Sequence, residues 1–294
     1  GPGWAWDDFD TGYQPEKSPF PIYGNTARFK WNGRDIFVTP AHFHRSILPK
    51  AKELTSALIS RELYQNQFIY KPWITGKKAF DRNIPFQYSP DLLTKLLSDT
   101  LSKPVQYIPF EEIPFQPRQT FSIPMPDTLY ALLMQDSDNF IAEQLLLMCS
   151  DKIFGVQNTE KAIDYAVDAL FETLPDEQVW RDGSGLSRYN LFTPRSIVHV
   201  LNKLYRTLPG ERLFHIFPAG GKSGTIEKWY GGKAEPYVFA KTGTLSNKHC
   251  LSGYIKTESG RLLIFSFMHN NYVGSPEPVK KEMESVLRWI REEF

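Results

Sequence analysis

Hydrophobic positions near the C-terminus fall into three β-prone runs, Tyr237–Ser246, Cys250–Thr257 and Arg261–His269. Ser246-Asn247-Lys248 separates the first two and Glu258-Ser259-Gly260 the last two, which predicts three antiparallel strands joined by turns. Pro278–Ile290 then places Val279, Met283, Val286, Leu287 and Ile290 on one stripe, the pattern of an amphipathic helix. Upstream the period is helical. Ser122–Gln144 holds two helical patterns interrupted at Gln135-Asp136-Ser137-Asp138-Asn139, and Asn158–Leu170 holds a third. Asp182-Gly183-Ser184-Gly185 reads as a turn, and Thr193-Pro194 caps a helix with Ile197, Leu201 and Leu204 on one face. Helices, then antiparallel strands, then a terminal helix predict an α+β domain over 119–294 in which helices cover the sheet.

The region 1–118 has a different texture. Residues 1–40 are rich in aromatics and turns, and Asn32-Gly33 joins two strand-like runs, Thr26–Trp31 and Arg34–Val38, as a hairpin. Pro40–Gln65 reads as helical, with Ile47, Ala51, Leu54 and Leu58 at helical spacing and Pro49 as a kink or break. Phe68–Ile74 reads as extended. Ser89-Pro90-Asp91 opens a short helix as N-cap, first-turn proline and acidic first turn, with Leu92, Leu93, Leu96, Leu97 and Leu101 behind it. Pro104–Phe115 is extended and proline-rich, a return linker.

Composition narrows the function classes. With 294 residues the chain has ample length for a core, and a net charge of +1 with no basic run longer than two residues excludes a nucleic-acid surface. The longest apolar stretches, such as Leu262–Phe267, are far too short to span a bilayer. Cys149 and Cys250 read as two buried free thiols. No signal peptide is present, and the opening Gly1-Pro2-Gly3-Trp4 reads as an interior segment or a processed start.

The chemistry concentrates at Lys241-Thr242-Gly243-Thr244, in the first C-terminal strand. Such an edge suits an extended peptide ending in a carboxylate. Lys241 supplies a point charge, Thr242 and Thr244 supply hydrogen bonds, and Gly243 has no side chain to hold the ligand backbone away. The bland reading is an edge strand with a protective lysine. Ser137-Asp138-Asn139 stands at the mouth of the helix Phe140–Met148, where all three residue types are good caps. A rival from another class is a nucleotide binder: Gly220-Gly221-Lys222-Ser223-Gly224-Thr225 resembles a phosphate loop, but Ile216 stands where that motif needs glycine. His42-Phe43-His44 has no carboxylate or cysteine companion at metal-ligand spacing, and there is no G-x-S-x-G elbow.

Ser-Asp-Asn and Lys-Thr-Gly, in that order, belong with Ser-x-x-Lys to the signature of class A β-lactamases and penicillin-binding proteins. The chain resembles the C-terminal two-thirds of the penicillin-binding protein 4 type D-alanyl-D-alanine carboxypeptidase/endopeptidase family. The resembling segments are Trp4–Asp8, Ser137–Glu143, Asp182–Arg188, Gly224–Ile226 and Ala240–Leu245. The resemblance implies a penicillin-binding/β-lactamase-like transpeptidase domain over 119–294 and the remainder of a β-rich accessory domain, inserted within it, over 1–118.

It further implies hydrolysis of peptidoglycan stem peptides through a serine acyl-enzyme, inhibition by β-lactams, a periplasmic or cell-envelope location, and no metal or cofactor. Ser137 would relay a proton towards the leaving amine. Asn139 would hydrogen-bond the substrate amide and the catalytic lysine. Lys241 would act in catalysis by setting the electrostatics of the site and, with Thr242 and Thr244, would hold the terminal carboxylate, and the Thr244 N–H would be one oxyanion donor. Asp182–Arg188 would support the site structurally.

The departure from the pattern is the nucleophile. No Ser-x-x-Lys occurs in the 294 residues; Ser46 precedes Lys50 by one position too many, and Thr225-Ile226-Glu227-Lys228 carries the spacing on a threonine. The expectation is therefore an N-terminally truncated chain, inactive by itself, with an exposed sheet edge that self-associates or takes a partner. The alternative is a non-catalytic cell-wall peptide-binding module using the same Lys241–Thr244 edge.

Overall fold

The computed structural model describes residues 1–49, 58–70, 79–109, 112, 122–232 and 235–294. Their contacts cluster into two compact units, one of Ala5–Ile123 and one of Gly1–Trp4 with Pro124–Phe294.

In the first unit, β1 (Thr26–Trp31) and β2 (Ile36–Thr39) form the expected hairpin, with Trp31 opposite Ile36. The turn closes because Asn32 Oδ1 accepts from the N–H groups of Arg34 and Asp35 at 2.9 and 2.7 Å, while Gly33 takes φ 98°. The described parts of Pro40–Gln65 are not the expected helix. Ala41–Ser46 is a 3-10 helix and β3 (Ile47–Pro49) is a strand; β4 (Ile59–Arg61) begins directly after Leu58, and Ala51 and Leu54 lie outside the described residues. A proline at 49 cannot donate within a helix and clashes with its preceding turn. Ile47 instead pairs in parallel with Phe68 of β5 (Phe68–Tyr70), against which β4 runs antiparallel.

A further strand, β6 (Phe80–Pro85), pairs antiparallel with β1. Phe29, Phe43, Phe68 and Phe86 interlock beneath these sheets, with Phe29 and Phe68 ring centroids 4.8 Å apart. The Ser89 hydroxyl accepts from the Leu92 N–H at 3.1 Å and so caps α1 (Pro90–Leu101), which buries Leu92 and Leu96 in the same core.

Among its described residues the second unit has five α-helices before its sheet: α2 (Asp127–Gln135), α3 (Asn139–Phe154), α4 (Thr159–Leu170), α5 (Pro194–Thr207) and α6 (Gly210–Ile216). Side chains start three of them, since Asp138, Asn158 and Thr193 accept from backbone N–H groups in the first turns of α3, α4 and α5. The short α6, seven residues behind Pro209, carries too little periodicity to be seen in sequence.

Three strands follow, β7 (Val238–Leu245), β8 (Lys248–Lys256) and β9 (Leu262–Asn270), antiparallel in the order β7-β8-β9. Alternation divides their side chains between two layers. Val238, Ala240, Leu251 and Ile255 pack with Met283 and Leu287 of α7 (Glu277–Glu293), whereas Phe239 and Tyr254 pack with Leu201, Leu213 and Phe217 of the helical layer. Tyr254 Oη donates to the Leu201 carbonyl at 2.7 Å, which pins α5 to the sheet. No helix among the described residues is long and apolar enough to cross a membrane.

Both cysteines are free thiols, but Cys149 is exposed on α3 rather than buried, and Cys250 is half-buried in β8. Apolar residues run all round α3, so its sequence does not distinguish an inward from an outward position.

The close approach of β7 and β8 makes Gly253 sensitive. A Cβ there would lie 2.1 Å from the Phe239 carbonyl oxygen and 2.6 Å from Ala240 Cα, both backbone atoms. Gly253→Ala is expected to destabilise the chain by about 2 kcal/mol, because the whole strand must move to admit a methyl group. Denaturant unfolding measures this directly; an unchanged midpoint would show that the strands relax without strain.

Candidate active site

The turn between α2 and α3 divides its work among three residues. Asp138 is the N-cap: its carboxylate accepts from the Ile141 N–H at 2.9 Å. Ser137, one residue earlier, is thereby released from capping and sits in the left-handed region at φ 57°. Asn139 is the first residue of α3.

Lys241 lies in β7, 104 positions further on, and its Nζ donates to Ser137 Oγ at 2.5 Å and to the Thr242 carbonyl at 2.7 Å. Both acceptors are neutral, and no carboxylate among the described residues lies close enough to perturb the ammonium. Burial consequently pushes the Lys241 ammonium down to about 8 from its ordinary 10.5. Two of its three N–H donors are used within the chain.

Alternation puts Lys241 and Gly243 on the helical side of the sheet and Thr242 and Thr244 on the other. Thr242 Oγ1 donates to Thr225 Oγ1 at 2.8 Å, and Thr244 Oγ1 lies 2.8 Å from His249 Nδ1. Gly243 and Thr244 are exposed at the sheet edge. Thr225 belongs to a 3-10 turn, Gly224–Ile226, whose glycine at φ +66° packs against the end of α2; a Cβ there would lie 2.5 Å from Gln135 Oε1. The structure thus brings Ser137, Lys241, Thr242 and Thr225 into one connected patch.

A second hub lies behind the Ser137 turn. Asp182 is only 3% exposed, and its carboxylate accepts from the Gly185 N–H, Asn190 Nδ2, Trp4 Nε1 and the Ser187 N–H at 3.0, 2.7, 2.8 and 2.6 Å. Glu143 Oε1, on α3, accepts from the N–H and hydroxyl of Ser184 at 2.8 and 2.7 Å. Gly183 lies so close to α3 that a Cβ would meet the Ala142 carbonyl at 2.6 Å. The Ser187 hydroxyl donates to the Pro2 carbonyl at 2.7 Å. Both serines of this loop are therefore engaged in holding it, and the loop holds α3.

The phosphate-loop alternative fails on geometry. Such a loop presents free N–H groups ahead of a helix. Here the N–H groups of Gly220, Gly221, Lys222 and Ser223 donate to the Val238, Trp229, Ala219 and Ala219 carbonyls, and only a three-residue 3-10 turn follows. His42 lies 3.5 Å from an Asp99 carboxylate oxygen, and no group of three or more potential metal ligands occurs among the described residues.

Sequence does not show that Thr225, within the resembling segment Gly224–Ile226, pairs with Thr242, and it gives no role to His249. A two-residue turn at Ser246-Asn247 sets Thr244 opposite His249, so the second strand starts at Lys248, ahead of the apolar run from Cys250, and hairpin register is the signal that points to His249.

Comparison with known proteins agrees with this architecture. The chain is 30% identical over 157 residues to the D-alanyl-D-alanine carboxypeptidase DacB of Haemophilus influenzae, covering 51% of this chain and 33% of that protein. It is 32% identical over 154 residues to a D-alanyl-D-alanine carboxypeptidase of Actinomadura, covering 50% and 28%. The aligned region thus spans about a third of these curated relatives. The crystal structure of penicillin binding protein 4 from H. influenzae superposes with a TM-score of 0.75 at 20% identity, covering 99% of this chain and 71% of that one, so the fold is shared. The profile of the D-Ala-D-Ala carboxypeptidase 3 (S13) family matches residues 115–292, a span that contains both Ser137 and Lys241. On that match the chain belongs to the D-Ala-D-Ala carboxypeptidase 3 (S13) family.

Proposed function

We propose that this chain forms the substrate-holding and proton-relay walls of a serine-type D-Ala-D-Ala carboxypeptidase/endopeptidase that acts on peptidoglycan peptides. The observation that carries this reading is the 2.5 Å contact between Lys241 Nζ and Ser137 Oγ, which joins the two motif walls. In this reading Lys241, Thr242 and Thr244 hold the terminal carboxylate of an extended peptide lying along β7, and exposed Gly243 lets its backbone approach. Asn139 hydrogen-bonds the substrate amide, and the Thr244 N–H faces the oxyanion.

Ser137 gives its proton to the leaving amine as the peptide bond breaks. Lys241, already donating to Ser137 Oγ, supplies the replacement proton. An ammonium pushed down to about 8 is suited to both tasks near neutrality, holding an anion while charged and exchanging a proton readily. The acylating nucleophile of such a site, the serine of Ser-x-x-Lys, is not among the 294 residues. Residues 5–118 are the accessory region of the same enzyme, which works at the cell envelope, while Gly1–Trp4 belong with the catalytic-type unit. A β-lactam carboxylate would occupy the place of the peptide carboxylate.

Two measurements on this chain test the reading. After incubation with a penicillin its intact mass is expected to stay unchanged, because no acylating serine is present. Calorimetry is expected to show saturable binding of an N-acylated D-Ala-D-Ala peptide and about tenfold weaker binding of its C-terminal amide. A stoichiometric penicillin adduct would place the nucleophile within these residues. Equal binding of acid and amide would remove the carboxylate from the Lys241 edge.

A further inference from the structure

Thr244 and His249 face each other across the hairpin, with Oγ1 and Nδ1 2.8 Å apart. Thr244 is exposed, whereas the imidazole of His249 is 0% exposed and its far nitrogen, Nε2, is buried without a hydrogen-bond partner among the described residues. A neutral imidazole has one N–H and one bare nitrogen, so two arrangements compete. With the proton on Nε2, a buried donor is orphaned and Nδ1 takes the Thr244 proton. With the proton on Nδ1, the buried orphan is a lone pair and Thr244 Oγ1 becomes the acceptor. Orphaned buried N–H groups are the rarer and costlier case. Burial, with Lys280 and His269 nearby, also holds the ring neutral, with its pKa near 4.

The two threonine hydroxyls of the strand are consequently not equivalent. That of Thr242 donates to Thr225, so it reaches a ligand only by giving up that bond. We infer that His249 is a neutral Nδ1–H donor that turns the Thr244 hydroxyl proton outward, making Thr244 the ready hydroxyl donor for an anionic group at this edge and His249 its positioning residue. The anion being a peptide carboxylate rests on the function proposed above; the orientation of the hydroxyl does not.

Nitrogen NMR of the chain labelled with 15N-histidine tests the orientation directly. At pH 7, His249 is expected as the Nδ1–H tautomer, and an Nε2–H tautomer or an imidazolium would overturn the inference. Binding of the D-Ala-D-Ala acid supplies the second test. His249→Asn keeps a donor near the Nδ1 position, and His249→Phe keeps a ring but removes both nitrogens. The phenylalanine variant is expected to bind the acid about tenfold more weakly and the asparagine variant within about twofold of the parent, with the amide affected by neither. Equal losses in the two variants, or equal losses for acid and amide, would reject the positioning role. If the parent chain itself does not prefer acid to amide, the carboxylate reading fails, and the tautomer still decides how Thr244 is turned.

Discussion

Replacing Lys241 with methionine is expected to weaken binding of a D-Ala-D-Ala peptide by about 100-fold while making the fold more stable at neutral pH. The two effects share one cause. The ammonium is held in a partly desolvated place against two neutral oxygens, Ser137 Oγ and the Thr242 carbonyl. Burial pushes it down to about 8, so the folded state is penalised for keeping the charge. Methionine retains most of the apolar stem and removes the charge, a change expected to stabilise by about 1–2 kcal/mol. A carboxylate ligand loses its countercharge at the same time.

The sign of the pH dependence follows from the depressed value. Between about 8 and 10.5 the unfolded chain binds more protons at this position than the folded one, so the stability of the parent chain rises with pH across that window. The methionine variant has no such rise from position 241, and its advantage at pH 7 is expected to vanish by pH 10.5. Peptide binding by the parent runs the other way, declining as pH passes upward through 8 and the ammonium loses its proton. Thermal unfolding at both pH values, with calorimetry of the peptide, separates the effects. A variant that is less stable at pH 7 would show that the lysine is a net structural contact.

The second large effect is expected at Asp182. Asp182→Ala leaves the Gly185 and Ser187 N–H groups, Trp4 Nε1 and Asn190 Nδ2 without their shared acceptor in a place only 3% exposed. Each orphaned buried donor carries a cost, and the whole loss is expected to reach about 3–5 kcal/mol. Asp182→Asn should be intermediate, because its amide offers one acceptor and turns an NH2 towards existing donors. The loop also holds α3 through Ser184 and Glu143, so peptide binding should weaken together with stability. Denaturant unfolding gives the magnitude. A loss below about 1 kcal/mol would mean that water replaces the carboxylate.

The parts that were legible in sequence are those decided within a turn or two of chain. Ser89, Asn158 and Thr193 were read at helix starts, and each hydroxyl or amide oxygen now caps the helix that follows. Asn32-Gly33 closed its hairpin because the asparagine side chain and the permissive glycine supply the turn by themselves. Where the apolar period was shared between possibilities, the reading failed. Ile47 and Leu58 fitted a helical stripe, but Pro49 and the pairing with Phe68–Tyr70 made the flanking segments strands. The exposure of Cys149 was hidden because α3 is apolar on every side.

For the site, Ser137 and Lys241 were named from a pattern of motifs, and their residue types already determined the available chemistry: a hydroxyl, an ammonium, and an edge strand opened by glycine. Tertiary structure decided what those groups are. The Ser137 hydroxyl is available because Asp138 takes the cap, and the Lys241 ammonium is pushed down because packing desolvates it. Thr242 and Thr244 are chemically identical in sequence and differ in the fold, one donating to Thr225 and the other held by His249. Backbone preferences and capping act over a few residues and are written locally, whereas desolvation and hydrogen-bond direction depend on which distant groups arrive alongside, and only the packed chain brings them there.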